Sequence, residues 1–380
     1  MVRIKLVRPM TEVKSFDEFS EAVKKPCACS HAKGSGSVLG YAALDDSGHL
    51  EPFRFDRRPV GPTDISFAVT HCGICHSDLH QIKNEWKNSI FPMVPGHEIV
   101  GICTEVGPQV TKFKPGDRVA VGCMVDSCGE CEACQRGLEQ YCSVGVQWTY
   151  NTTAPDGTIN QGGYSTSLVV KESFALRFPD NLPLDAGAPL LCAGITTYSP
   201  LRHWGLDKPG KKVGVIGLGG LGHMAVKLAK AFGAEVTVFS TSPGKEHEAL
   251  HEFGADHFIV SKDRAAMKKA HSTLDGIIDT VSANHPLADY LATLKLDGSL
   301  IMVPLALPAF AITAQRRSVA GSAIGGIQET QEMLDFCGEH NVTCMIEKVD
   351  VADVNKAMER LAANDVKYRF VLEIAKTLVA

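Results

Sequence analysis

The chain has 380 residues, 44% of them hydrophobic and 21% charged, with a formal net charge of −5. Single hydrophobic cores stop growing near ~250 to 300 residues, so this length predicts two domains with a cleft between them. The mild negative charge implies no basic surface for nucleic acid. No apolar run reaches the ~18 to 20 residues a membrane helix needs, and Met1 to Lys14 lacks the apolar core of a secretory signal, so no membrane partner and a cytoplasmic location are expected.

In chain order, residues 1–37 read as an N-terminal extension with one short helical stretch near Phe16 to Val23 and a Gly-Ser-Gly linker at the end. From Val38 to about Val170, Gly and Pro punctuate short apolar runs such as Ile65 to Val69, Ile99 to Val106 and Arg118 to Val121, the texture of a β-rich domain. After Asp185 strands and helices alternate: strand Lys212 to Ile216, helix Leu221 to Phe232, strand Glu235 to Phe239, helix Pro243 to Phe253, strand Ile277 to Thr280, helix His285 to Leu294 and strand Ser299 to Val303. Alternation of this kind predicts βαβ units and a doubly wound parallel sheet, hence an α/β fold. The expected division is a catalytic domain formed by residues 38–196 and 336–380, with a dinucleotide-binding domain at 197–335.

Val213-Gly-Val-Ile-Gly217-Leu-Gly219-Gly220-Leu221-Gly222 places Gly-x-Gly-x-x-Gly between a strand and a helix. Gly217 permits the tight turn, Gly219 lets backbone approach a pyrophosphate, and Gly222 allows close helix packing, while the helix N-terminus offers free N–H groups. A glycine-rich turn with no ligand is the alternative. An NAD site ends its second strand in Asp or Glu, roughly 20 residues on. Here that strand runs into Ser240-Thr241-Ser242-Pro-Gly-Lys245, three hydroxyls and a cation suited to a 2′-phosphate, so NADP is expected unless the segment is a plain solvated turn.

The chain has thirteen cysteines, which without an export signal point to metal binding or reactivity before disulfides. Cys128-x2-Cys131-x2-Cys134-x7-Cys142 supplies four thiolates in one short loop, enough to close a tetrahedron around a structural zinc. A catalytic zinc needs three protein ligands and an open position, usually from separated segments. The candidates lie in Cys72-Gly-Ile-Cys75-His76-Ser77-Asp78-Leu-His80, Pro95-Gly-His97-Glu98-Ile-Val-Gly101 and Leu191-Cys192-Ala-Gly194.

With these segments the chain resembles the zinc-containing medium-chain alcohol dehydrogenases. Gln161-Gly-Gly-Tyr164, Gly321-Ser-Ala-Ile-Gly325, Glu329 to Cys337 and Tyr368-Arg-Phe-Val371 bring it closer to the cinnamyl alcohol dehydrogenase branch and its broad-specificity NADPH-dependent aldehyde reductases. The resemblance, from about residue 38 onward, implies a GroES-like catalytic domain beside a Rossmann domain and two zinc ions per chain. It assigns Cys75, His97 and Cys192 as catalytic zinc ligands, with Glu98 able to approach the metal and Cys72 a packed thiol. Asp78 would orient the ligating histidine, in keeping with the usual carboxylate partner of such histidines. Ser77 would bond the substrate oxygen, His80 would pass the proton to solvent through the cofactor ribose, and His76 would face the cofactor pyrophosphate.

The implied reaction is interconversion of aldehydes and primary alcohols with NADP(H). A non-enzymatic zinc and dinucleotide-binding protein, or a zinc-free quinone reductase of the same superfold, are the rival readings, and metal content separates them. Trp86 and Asn88 replace smaller groups expected in the substrate pocket while Trp148 is kept, which predicts a narrower site. A homodimer is expected through the segment Ser299 to Ala314, read as an edge of the dinucleotide sheet.

Overall fold

The computed structural model describes residues 37–283, 285–303 and 318–378. Residues 1–36 of the expected extension, with its helical stretch, and residues 304–314 of the expected dimer segment lie outside them.

The first half is built on antiparallel pairing. Strands β1 (Ser37–Ala43) and β2 (Leu50–Asp56) form a separate hairpin. Strand β3 (Asp64–Ile74) is the spine of a larger sheet: its Ile65, Phe67 and Val69 alternate into the core, as the two-residue period of a strand requires. It ends at helix α1 (His76–Ile82) and pairs with β4 (Ile99–Val106), which in turn pairs with β5 (Arg118–Val121). The short pair β6 (Met124–Asp126) and β7 (Gln147–Trp148) brackets a loop whose helical turn is α2 (Glu132–Gln135). Strands β8 (Ser167–Lys171) and β9 (Leu176–Arg177) then pair with β3 and β5.

Helix α3 (Ala193–His203) leads into the second half, where β10 (Lys212–Ile216), α4 (Gly222–Ala231), β11 (Glu235–Ser240), β12 (His257–Val260), α5 (Arg264–Lys269), β13 (Leu274–Asp279), α6 (Ala288–Thr293), β14 (Leu294–Met302) and β15 (Ser318–Gly321) follow. The six strands are parallel in the order β12-β11-β10-β13-β14-β15. The order reverses between β10 and β13, and the crevice at a parallel sheet's carboxyl edge falls at such a reversal. The alternation expected from sequence is therefore present. Pro243 to Phe253 departs from the expected helix: Pro243–Lys245 is a 3-10 turn and Glu248–Glu252 a wide π turn, drawn aside where Lys245 Nζ donates to Leu218 O at 2.6 Å. The unforeseen α5 is started by Asp263, whose carboxylate accepts from Ala265 N and Ala266 N.

Helix α7 (Ile327–His340) leads back to β16 (Ile346–Val349), α8 (Val354–Ala362) and β17 (Arg369–Leu372), and β17 pairs antiparallel with β3 to complete a seven-stranded sheet. The expected divisions at 196 and 336 fall inside α3 and α7. These two helices pack together, with Tyr198 and Phe336 ring centroids 5.9 Å apart, and one buried cluster runs from Leu176 through α3 and α7 to Val213 and Val238.

Strand β4 lies close against β3 at Gly101, where a β-carbon would lie 2.1 Å from the Ala68 carbonyl. Gly101→Ala should therefore lower unfolding stability by about 2 to 4 kcal/mol, read from the urea midpoint. A change within about 0.5 kcal/mol would show that the strands separate without cost.

Candidate active site

A buried carboxylate organises the first constellation. Asp78, third in α1, accepts from the Cys75 N–H at 2.9 Å across the helix N-terminus, the reciprocal contact of a capping box. It also accepts from the Gly96 N–H at 3.1 Å and the Tyr164 hydroxyl at 3.1 Å, and its Oδ1 meets His97 Nδ1 at 3.1 Å. The helix start, the turn into β4 and the Gly-Gly-Tyr164 segment thus converge on one side chain, which is fully buried.

His97 thereby turns its other ring nitrogen toward Cys75. Burial pulls the His97 pKa down, but the Asp78 charge and the surrounding thiols overturn that and hold it well above the ordinary value. Cys192 stands between a 3-10 turn, Ala188–Leu191, and α3, with Sγ 3.9 Å from Cys75 Sγ. The hydrogen bond from Cys192 draws the Cys75 pKa well down against burial, assisted by the Arg369 and His97 charges. Ligand atoms of Cys75, His97, Glu98 and Cys192 all lie within 4.8 Å of one another. Cys72 is fully buried beside Gly96 and Gly163 and outside this group, and burial pushes its thiol pKa well up.

The donor set fits zinc. Two thiolates at ~2.3 Å from one ion, at the tetrahedral angle, are about 3.8 Å apart, which matches the Cys75 to Cys192 separation. Glu98 Oε2 is buried with no hydrogen-bond partner, as a carboxylate facing a cation would be, while Oε1 is held by the buried Arg369 guanidinium. In the loop between β6 and β7, Cys128 and Cys134 sulfurs are 3.8 Å apart, Cys131 and Cys134 3.5 Å, and Cys131 and Cys142 3.9 Å, a closed set of the same size.

The glycine loop leaves β10 at its carboxyl end. Gly217 has φ +88°, a conformation glycine adopts without penalty, and a β-carbon on Gly222 would lie 2.2 Å from the Gly217 carbonyl. Gly219 is open on its free side, whereas Gly220 rests against Arg369, with Nη1 3.0 Å from where its β-carbon would be. Leu221 is the N-cap of α4. At the end of β11, Ser240 is buried and its Oγ accepts from the Ser242 N–H at 3.1 Å, while Thr241 and Ser242 are exposed and Lys245 is turned back to the loop. Of the expected phosphate-binding side chains Lys245 touches the glycine loop, and the end of β11 lies beside that loop through the Gly217 N–H bond to the Phe239 carbonyl at 2.9 Å.

On α1, Ser77 Oγ is 3.7 Å from Cys75 Sγ, and His80 lies one turn on with Nδ1 2.5 Å from Glu85 Oε2. His76 and His80 ring centroids are 6.3 Å apart. Trp86 tilts over His80 at 5.3 Å and is 52% exposed, and Trp148, in β7, is 42% exposed. Asn88 presents its backbone carbonyl to Asn151 Nδ2 at 3.3 Å. Sequence reasoning gave no role to Arg369, Tyr164 or Glu85. Tyr164 and Arg369 stand inside segments that carry the resemblance, but they are 86 and 271 residues from their partners Asp78 and Glu98. Glu85 was within reach, as an acid five residues after a candidate proton carrier.

The family model for the alcohol dehydrogenase GroES-like domain matches residues 61–180, and that for the zinc-binding dehydrogenases matches residues 220–339. The chain is 60% identical to 8-hydroxygeraniol dehydrogenase of Catharanthus roseus, over 90% of this chain and 96% of that one. A cinnamyl alcohol dehydrogenase structure from Sorghum bicolor superposes with TM-score 0.87 at 53% identity, covering 90% of this chain and 98% of its own. A Helicobacter pylori cinnamyl alcohol dehydrogenase in complex with NADP(H) gives 0.84 at 42% identity, covering 90% and 99%. The chain belongs to the zinc-binding alcohol dehydrogenase family, in its cinnamyl alcohol dehydrogenase branch. It is an oxidoreductase that interconverts alcohols and aldehydes, with a GroES-like half and a Rossmann half, and among the described residues no helix is long and apolar enough to cross a membrane.

Metal analysis of the pure protein should return two zinc ions per chain, and one or none would contradict the two thiolate sets. Cys192→Ser should abolish turnover and keep most of the melting temperature, whereas Cys131→Ser should lower the melting temperature first. Equal loss of stability in both would sink the division of roles.

Proposed function

We propose that this chain reduces aldehydes to primary alcohols with NADPH, using one zinc held by Cys75, His97 and Cys192 and a second, structural zinc held by Cys128, Cys131, Cys134 and Cys142. The observation that carries this reading is Arg369, whose guanidinium spans from Glu98 in the thiolate–imidazole group to Gly220 in the glycine loop. A metal-sized donor set and the glycine loop on two sides of one guanidinium support a site in which a zinc ion and a dinucleotide would sit side by side.

When bound, zinc polarises the substrate oxygen and the nicotinamide carries the hydride. The chain's own part is positioning and proton supply. Ser77 and His80 lie three residues apart on one face of α1, so the hydroxyl can donate to the substrate oxygen and His80 can restore its proton. His80 Nδ1 is engaged by Glu85, and with side chains 35% and 48% exposed the pair ends this path at solvent. His76 would face the cofactor pyrophosphate, as the family resemblance implies, and Arg369, against Gly220, would supply a cation there. Glu98, whose Oε2 has no protein partner, would be able to approach the metal.

NADPH would be preferred because Ser240, Thr241, Ser242 and Lys245 offer three hydroxyls and a cation at the end of β11, where an NAD site carries an acid. Burial lowers the Lys245 pKa, and the nearby Glu248 carboxylate pulls the other way, so its ammonium favours a compensating anion. Trp86, packed on His80, and Trp148 would wall the substrate side and favour flat or slender aldehydes. Two further features complete the proposal. A homodimer would form, but not through the edge expected at Ser299 to Ala314: Ser299 to Met302 lie in β14 with β13 on one side and β15 on the other, and β15 is the last strand of the parallel sheet among the described residues, able to pair with its copy. The location is cytoplasmic, which the free state of all the described cysteines supports.

Steady-state kinetics should favour NADPH over NADH by at least about tenfold, and Ser240→Asp should move the preference toward NADH, because a carboxylate repels the 2′-phosphate and accepts from ribose hydroxyls. Equal use of both cofactors by the parent would refute the assignment. Trp86→Leu should raise kcat/KM for coniferaldehyde relative to benzaldehyde by about tenfold, as about 1.4 kcal/mol of steric conflict is relieved, with zinc content unchanged. An unchanged ranking of aldehydes would make Trp86 a packing residue.

A further inference from the structure

The loop that carries the four cysteines does more than close around a metal: it grips the segment that joins β15 to α7. After β15 the chain runs from Ser322 to Gly326 along the carboxyl edge of the parallel sheet, with Ser322 N–H bonded to Met302 O at 3.2 Å. Three contacts from the cysteine loop hold this strap. The Tyr141 hydroxyl accepts from Ala323 N–H at 3.2 Å. Glu139 Oε2 accepts from Ile327 N–H, the first of α7, at 3.1 Å. The Gly137 carbonyl abuts Gly326 so closely that a β-carbon there could not be placed.

Between these anchors the backbone is strained. Ile324 has φ +37°, which a β-branched residue adopts only when its surroundings over-determine it. Its side chain packs against the buried clusters of both halves of the molecule. Gly325 lies against Ile195 of α3, three residues from Cys192, where a β-carbon would be 2.6 Å from Ile195 Cδ1. The strap is thus pinned between the cysteine loop, the helix that Cys192 starts, and the end of β15.

Its place in the crevice follows from the sheet order. Ser240 to Lys245 mark the adenosine side, at the end of β11, and the pyrophosphate falls at the end of β10. The other half of an extended dinucleotide must then lie over β13 to β15, where the strap runs. We infer that Glu139 and Tyr141 are positioning residues that set the strap, and through it the affinity for the nicotinamide half of the cofactor. This rests on the NADP reading given above.

The test compares binding of intact NADPH with binding of 2′,5′-ADP, which carries only the adenosine half, by calorimetry on the zinc-replete full chain. The parent should bind both. Glu139→Ala and Tyr141→Phe should each weaken NADPH roughly tenfold and leave 2′,5′-ADP within about twofold. Glu139→Gln, which keeps an acceptor for Ile327 N–H, should restore NADPH binding, and all variants should retain two zinc ions. Equal weakening of both ligands, or no weakening of NADPH in either variant, would overturn the inference. A parent that binds neither ligand would instead remove the cofactor reading on which it depends. Should Glu139→Ala lose zinc or fail to fold, Tyr141→Phe alone decides, since it deletes one hydroxyl at a half-exposed site.

Discussion

The Asp78 carboxylate is the constraint on which the site depends. It is fully buried, and a buried charge is tolerated only when its hydrogen-bonding capacity is met. Two backbone N–H groups, one imidazole and one phenol meet it, and each comes from a place the site needs fixed. The Cys75 amide orients the first thiol, the Gly96 amide fixes the turn before His97, the imidazole is held in one orientation, and Tyr164 ties in the following segment. Removing any one partner leaves the charge short of a bond, so the four contacts stand or fall together and keep Cys75 and His97 in register across β3 and β4.

Arg369 performs a comparable task between the two halves. Its strand, β17, pairs with β3 in register Leu372↔Cys72 to Phe370↔Ile74, which delivers the guanidinium to the base of the same site from the far end of the chain. One side of it satisfies Glu98 and the other underlies Gly220. The cysteine–histidine group and the glycine loop therefore share a spacer carried by β17, whose return to the sheet, rather than a flexible linker, sets how the two lie relative to each other.

Much of this was legible in the sequence because the relevant signals are local. The four-cysteine spacing, the Gly-x-Gly-x-x-Gly turn after a strand and the alternation after Asp185 each depend on neighbours in the chain, and each appears in the structure as a metal-sized cluster, a left-handed glycine turn and a parallel sheet. The choice of Cys75 over Cys72 needed the resemblance, since both thiols are buried and spacing does not reveal which of them faces the histidine. The apolar spacing of Pro243 to Phe253 is helical, whereas the Lys245 bond to Leu218 pulls the first turn aside. The roles of Arg369, Tyr164 and the Glu139 and Tyr141 contacts were hidden because they join residues that only the sheet pairing and the return of α7 bring together.

The most direct test of this account is the metal content and zinc affinity of Asp78→Asn. The amide keeps the shape but loses the charge and one acceptor, so the account predicts a catalytic site weakened by about 10- to 100-fold in zinc affinity, with the four-cysteine zinc retained and turnover falling in step with the lost ion. Competition with a graded chelator followed by metal analysis would then show one firmly held zinc per chain. Two ions held as tightly as in the parent, with turnover unchanged, would contradict the claim that Asp78 assembles the site.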